Sequence, residues 1–369
     1  MCSIGEYVLF REFSVIMKKT TDLLKKNKRL LAERKADSGK GDYGRLLIIG
    51  GSDGMAGAAY CSGLAAFRSG IGMVRFYGPE CNRVILQTLL PEAMYSTDSV
   101  PGEAAEKQEK IPVRFENLDR ALQWADYVVC GPGLSRSDYA ITLTEHLWKL
   151  DLSEKKLVLF DADALNIIAA GQMDLKGLSC ERIRKGSRTN VVITPHVGEM
   201  SRLTGRSIEE IKNKPAELAC AYAREHDCIV ALKDAVSYVA FPDGDCYRNI
   251  SGSPALAKAG SGDVLTGVIA GITAIIRGDA SAGTIIGVYV HGRAGELAEA
   301  VHGVHSVLAR DVADAIGGVL SPVSPEFEHL YLFSEKDDGY DSDTDCGNTK
   351  KDKVPETSGK RTDSAETTG

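Results

Sequence analysis

Seven short apolar runs punctuate the chain between residues 45 and 244, and most of them stop at a small or polar cluster. They are RLLIIGG (45–51), MVRFYG (73–78), YVVCG (127–131), KLVLFDAD (156–163), NVVITPH (190–196), CIVALKD (228–234) and SYVAFPDG (237–244). Strands that are apolar at consecutive positions, rather than at every second one, are covered on both faces. Between most of them lie helical patterns, among them AAYCSGLAAFRSG, DRALQWAD, PAELACAYAREH and the Gly/Ala-rich VLTGVIAGITAII. This alternation predicts an α/β fold built on a doubly wound, mostly parallel sheet. Only 228–244 predicts a hairpin, because Asp234 to Ser237 is too short for a parallel crossover.

In an open α/β sheet, ligands collect outside the carboxyl ends of the strands. The clusters Gly50-Gly51-Ser52, Gly131-Pro132-Gly133, Asp161-Ala162-Asp163, Thr194-Pro195-His196 and Lys233-Asp234 should therefore converge on one crevice. Each cluster also has a purely structural reading. GGSDGMAGAA (50–59) suits a ligand-approaching loop or a tight turn; it lacks the Lys-Ser/Thr of a Walker A loop and does not fit G-x-G-x-x-G. CGPGL (130–134) suits a binding loop or a stiff turn. DADALN (161–166) sets two acids and an amide where groups that orient a hydroxyl or hold a metal would stand, while Asp163 also suits a helix N-cap. In TPHVGEM (194–200), His196 stands at a strand end beside a helix start that includes Glu199. Lys233 in KDAVS fits a phosphate partner or a surface charge. His302 and His305 read as structural.

ALAKAGSGDVLTG (255–267) is the most specific stretch. Gly260, Ser261 and Gly262 precede an apolar helix, so unpaired backbone N–H groups there would form an anion hole at the positive end of the helix dipole. Asp263 in the first turn is either a capping acid or a general base beside a transferred phosphoryl group. Gly267, Ala270 and Gly271 would let this helix approach its neighbours closely.

The formal net charge of −7 argues against a non-specific nucleic-acid binder. No apolar stretch reaches the roughly 18–20 residues of a membrane span, and the start carries Glu6, Arg11 and Glu12 inside its apolar run, unlike a secretory signal. Nine scattered cysteines without a C-x-x-C pair indicate reduced thiols and a cytoplasmic location, and no Cys/His cluster has zinc-ligand spacing. Residues 1–39 form an amphipathic helical lead-in, within which Met17 is an alternative start. Residues 40–325 form the folded domain, and the charged, Ser/Thr-rich stretch 334–369 is expected to be a disordered tail.

Taken in order, the GGS…GA loop, GPGL, DADALN, TPHxGE, the Lys-initiated hairpin and the G-S-G-D helix start resemble the ADP/ATP-dependent NAD(P)H-hydrate dehydratases of the ribokinase-like superfamily. The resemblance covers roughly residues 40–318. It implies a three-layer αβα sandwich and a repair reaction. The S epimer of hydrated NADH or NADPH would be phosphorylated on its ring hydroxyl at the expense of ADP or ATP, with Mg2+, and phosphate then eliminated. By the same resemblance Asp263 is the catalytic acid, and Ala58, Gly133, His196 and Asp263 contact the hydrated dinucleotide. Lys233, Asp234, Ala235, Val236, Ser237 and Gly262 hold the adenine nucleotide, and Gly260, Ser261 and Gly262 supply the anion hole; no metal ligand is assigned. The chain departs from the family pattern at Met55, often aromatic, at Ser135, often glycine, and at Asp234 and Ser237 in place of Gly and Thr. The chain reads as a bacterial member, which implies ADP in preference to ATP. It also implies a homo-oligomer, a tetramer being one such assembly, and a separate epimerase, since the residues before Tyr43 leave no room for a fused one. Two alternatives keep the same site: a kinase of a small alcohol or vitamin precursor, and a nucleotide-binding sensor without turnover.

Overall fold

The computed structural model describes residues 34–98, 115–178 and 189–321. The expected tail, and the lead-in apart from residues 34–39, lie outside the described residues. A sheet of nine strands runs in the order β3-β2-β1-β4-β5-β6-β7-β8-β9. The strands are β1 (Arg45–Ile49), β2 (Met73–Tyr77), β3 (Met94–Ser96), β4 (Tyr127–Cys130), β5 (Leu157–Phe160), β6 (Val191–Ile193), β7 (Ile229–Leu232), β8 (Tyr238–Ala240) and β9 (Cys246–Arg248). From β3 to β7 every neighbouring pair is parallel, for example Leu46 beside Tyr127 and Tyr127 beside Leu157. β7–β8 and β8–β9 are antiparallel. The predicted hairpin is thus present, and a second one, which the sequence reading did not anticipate, adds β9 beyond it. β3 was missed as well. Each of the two is three residues long, and neither carries a run of fully buried side chains.

The consecutive apolar positions divide by pleat. Leu46 and Ile48 face one core and Leu47 and Ile49 the other; Tyr127 and Val129 oppose Val128 and Cys130 in the same way. Helices α1 (Ala56–Arg68), α2 (Arg83–Leu89), α9 (Ser261–Ile275) and α10 (Ala280–His302) cover the first face, and α11 (Ala309–Leu320) packs outside α9 and α10. On the second face lie α3 (Glu116–Trp124), α4 (Asp138–Trp148), α5 (Asp163–Gly171), α6 (Val197–Thr204), α7 (Ile208–Asn213) and α8 (Pro215–His226). Both sides of the sheet are therefore sealed by helices, as consecutive apolar strands require.

α9 is the central helix, with only its first turn and its last residues reaching the surface. Its small residues meet α1 closely: a methyl group at Gly267 would overlap the Ser62 carbonyl, and one at Gly271 would stand 2.8 Å from the Ala66 carbonyl. A buried hydroxyl chain crosses the seam. Ser62 Oγ lies 2.8 Å from Thr266 Oγ1, which itself donates to the Asp263 carbonyl at 2.7 Å. The first turn of α9 is thus fixed in position by packing from below. Among the described residues no helix is long and apolar enough to cross a membrane.

Candidate active site

The polar clusters do meet at the carboxyl ends of the strands. Gly51 N–H donates to the Pro132 carbonyl at 2.8 Å and Ser52 N–H to the Gly133 carbonyl at 2.5 Å, so the loops after β1 and β4 are zipped backbone to backbone. Glycine is demanded at Gly133, where φ is +62° and a methyl would stand 2.9 Å from the Ala58 Cβ. Ala58 and Gly133 therefore form one wall. Ser135 also takes a positive φ, +67°. Its N–H donates to Asp163 Oδ2 at 2.9 Å. Asp163 is thus not the N-cap of α5: Ala162 holds that position, and the aspartate braces the neighbouring loop instead.

Ala162 adopts φ 50° and ψ −120°, an unfavourable backbone for a residue with a Cβ. Strain of this kind costs about 1–3 kcal/mol and persists where a site over-determines it. Here it lies between Asp161, directed into the fold, and Asp163. Asp161 is almost fully buried and accepts a hydrogen bond from Lys233 Nζ at 2.7 Å. Lys233 extends the sheet: its N–H donates to the Pro195 carbonyl at 2.8 Å, and a parallel bridge sets it beside His196. Asp234, one residue on, is exposed in the turn and lines the cleft beside Lys233.

His196 is the N-cap of α6. Its Nδ1 accepts from Gly198 N–H at 2.9 Å and Glu199 N–H at 3.3 Å, while Glu199 Oε2 accepts from His196 N–H at 2.8 Å. The structural role weighed for this histidine is present, and its ring remains exposed at the mouth of the site. Burial lowers its pKa, with Lys233 and Arg202 adding to the effect. Glu199 is buried beneath it, and burial raises its pKa against the pull of Lys233.

Gly260, at φ +90°, turns the chain into α9. Ser261 N–H bonds back to the Lys258 carbonyl at 3.2 Å, and Val264 N–H is bonded to Gly260 at 3.0 Å. The intervening amides, those of Gly262 and Asp263, sit at the dipole's positive end without an intrahelical acceptor. Ser261 contributes its hydroxyl inward instead, 3.3 Å from His291 Nε2. Burial pushes that imidazole's pKa down to about 4, so the ring is neutral near pH 7. His291 escaped the sequence reading, because one histidine inside a small, apolar helix carries no distinguishing pattern.

Asp263 closes the arrangement. Burial pushes its carboxyl up to about 7; Asp161 and Asp163 add to the rise and Lys233 opposes it. For Lys233 burial works against the charge, and the carboxylates of Asp161, Glu199 and Asp263 outweigh it, so its pKa is raised. One cation thus sits among three acids, a distribution typical of sites that move protons rather than of a passive surface. A cleft of about 810 Å³ opens beside it, lined by His196, Lys233, Asp234, Ala235, Ser237, Ser261, Gly262 and His291 among others. Val236 belongs to the same turn and is half-buried. Ala58 and Gly133, where α1 meets the loop after β4, are not among the residues lining this cleft. A second hollow, of about 600 Å³ around Tyr43, Asp126 and Lys156, lies at the opposite ends of the strands.

A doubly wound sheet that gathers a helix start with two unpaired amides, a half-buried lysine and a carboxyl near neutrality at one end has the ribokinase-like α/β fold. A 24% identical ribokinase-like superfamily protein from Enterococcus faecalis superposes with a TM-score of 0.65, over 79% of this chain and 93% of that one. The sequence profile of the NAD(P)H-hydrate dehydratases matches residues 46–317, and the chain belongs to that family. The ADP-dependent (S)-NAD(P)H-hydrate dehydratase of Bacillus subtilis is 35% identical over 286 residues, 78% of this chain and 92% of its own length. The crystal structure of the Bacillus subtilis ADP/ATP-dependent NAD(P)H-hydrate dehydratase, co-crystallised with ATP/Mg2+, is 33% identical with a TM-score of 0.61, covering 79% of this chain and 93% of that one. A bifunctional NAD(P)H-hydrate repair enzyme from Moorella thermoacetica is 36% identical over 303 residues, 81% of this chain. The chain spans about half (53%) of that bifunctional relative's length.

Proposed function

We propose that the protein dehydrates the S epimer of hydrated NADH or NADPH in a nucleotide-dependent repair reaction, with ADP preferred to ATP. The observation that carries this reading is the Gly260–Asp263 turn, where two unpaired amides and a carboxyl held near pH 7 stand beside Lys233. Asp263, in its ionised form, takes the proton of the ring hydroxyl as that oxygen attacks the terminal phosphoryl group. The Gly262 and Asp263 amides and the helix dipole receive the charge that develops on the phosphoryl oxygens, and Lys233 adds positive charge beneath them. Loss of phosphate from the phosphorylated ring then restores the reduced nicotinamide. In this reading the turn Lys233–Ser237 and Gly262 hold the adenine nucleotide in the cleft, while Ala58, Gly133 and His196 hold the hydrated dinucleotide.

Among the described residues no group of three or more His, Cys, Asp or Glu side chains is placed to cage a metal ion. That fits magnesium carried on nucleotide phosphates and water, the shell it favours; when bound it would offset phosphate charge. The folded domain over residues 40–325, a cytoplasmic location, a homo-oligomeric assembly and a separate epimerase that supplies the S epimer belong to the same proposal.

The test is direct. The protein is incubated with hydrated NADH and either ADP or ATP while the absorbance of regenerated NADH is followed. Recovery that is faster with ADP is expected. No recovery with either nucleotide overturns the proposal.

A further inference from the structure

A chain of hydrogen bonds runs from the loop after β4 to the first turn of α6. Ser135 N–H donates to Asp163 Oδ2 at 2.9 Å. One turn further along α5, Asn166 Nδ2 donates to Asp163 Oδ1 at 3.4 Å, and Asn166 Oδ1 accepts from Arg202 Nε at 2.7 Å. Ser135 stands two residues after Gly133, and Arg202 lies on α6, on the face it shares with Gly198. A methyl at Gly198 would stand 3.8 Å from Arg202 Nη1. The chain thus links two of the positions proposed to contact the hydrated dinucleotide, Gly133 and His196, and it ends on an exposed guanidinium.

Among the described residues Arg202 is held by the Asn166 amide and by no carboxylate. The acids close by are engaged elsewhere. Both Asp163 oxygens accept from Ser135 and Asn166. Glu199 Oε2 accepts from His196 N–H, and its Oε1 lies 3.3 Å from His196 Nε2. Lys233, the neighbouring cation, is committed to Asp161. A neutral amide on Nε fixes the direction of the guanidinium without cancelling its charge. The Nη1 and Nη2 hydrogens stay available, and together they form the planar fork that matches a pair of phosphate oxygens.

We propose that Arg202 is a specificity-determining residue that binds a phosphate of the hydrated dinucleotide through Nη1 and Nη2. This rests on the function proposed above, in which that molecule lies against Gly133 and His196. Hydrated NADH offers a pyrophosphate, hydrated NADPH a 2′-phosphate as well, and the fork suits either group. Asn166 is a positioning residue: it gives the substrate nothing and holds the fork by accepting from Nε.

Steady-state kinetics of Arg202→Met and Arg202→Lys, with hydrated NADH and with hydrated NADPH, test the assignment. In Arg202→Met the KM for the hydrated dinucleotide should rise about tenfold, the worth of one charge-assisted hydrogen bond, while kcat and the KM for ADP move far less. Arg202→Lys keeps the charge and loses the fork, so its KM should fall between the two. Equal rises for both substrates assign the pyrophosphate, and a rise confined to hydrated NADPH assigns the 2′-phosphate. The parent KM should climb with salt, and less steeply in Arg202→Met, a difference that an arginine serving only to brace two helices does not produce. Calorimetric titration with hydrated NADH and no adenine nucleotide reads binding apart from turnover. A parent that binds but never regenerates NADH overturns the repair reaction and leaves the role of Arg202 standing. Unchanged KM and Kd for both substrates in Arg202→Met overturn that role alone, and so does a KM for ADP that rises as much as the KM for the dinucleotide.

Discussion

Lys233 Nζ donates to Asp161 Oδ1 across 2.7 Å, and the two side chains come from the carboxyl ends of strands that are not neighbours, with β6 between them. The pair is the electrostatic anchor of the site, and Asp161 is buried enough that it has no substitute partner in solvent. Removing one member of a buried pair commonly costs about 3–5 kcal/mol, because the survivor is left uncompensated. Glu199 and Asp263 remain near Lys233, so Asp161→Ala should destabilise the fold by about 3 kcal/mol, at the low end. Urea denaturation measures it, and the Asp161→Ala/Lys233→Ala pair should recover part of the loss.

Asp263→Asn should slow the repair reaction by about 10²–10⁴-fold, the usual worth of a general base. It should also stabilise the fold. The folded pKa of about 7 lies above the ordinary 3.8. The stability this group contributes is therefore full below pH 4 and lost as pH rises through 7. An amide escapes that loss. The variant should exceed the parent by about 1–3 kcal/mol at pH 8, the gap closing towards pH 4; thermal melts across that range decide it.

Activity should rise with pH through about 7 as Asp263 ionises. Lys233 holds the carboxyl below where burial alone would leave it. In Lys233→Met the rise of kcat/KM should move to higher pH by about 1 unit. A profile that stays in place would show that Asp263 is not the group titrating.

Ser135 occupies a left-handed backbone position that glycine adopts freely. Relief of that strain outweighs the added chain entropy, so Ser135→Gly should gain about 0.5 kcal/mol in chemical denaturation. The N–H bond to Asp163 is a backbone contact and survives the change.

The parallel core was legible because Leu46 to Ile49, Tyr127 to Cys130 and Leu157 to Phe160 are buried at every position, which leaves a continuous apolar trace. Met94–Ser96 and Cys246–Arg248 were not, since three residues, of which only Tyr247 is fully buried, carry too few side chains for a period to emerge. The site was legible where chemistry and punctuation coincide, at Gly260–Asp263 and at Lys233. What stayed hidden is long-range pairing. Neither the tie from Asp163 to the Ser135 amide nor the contact of Ser261 with His291 has a local signature, because partners 28 and 30 residues apart are joined only by the folding of the sheet.

The two strands that escaped notice are also the two outermost. An open sheet edge is a template on which another chain can add a strand, and its danger grows with its length. With three residues at β3 and three at β9, this sheet offers a stranger scarcely a rung to grip. Brevity at the margins shields the seven strands between them, six parallel and β8 antiparallel, so that contacts between copies of this chain would fall to its helical faces.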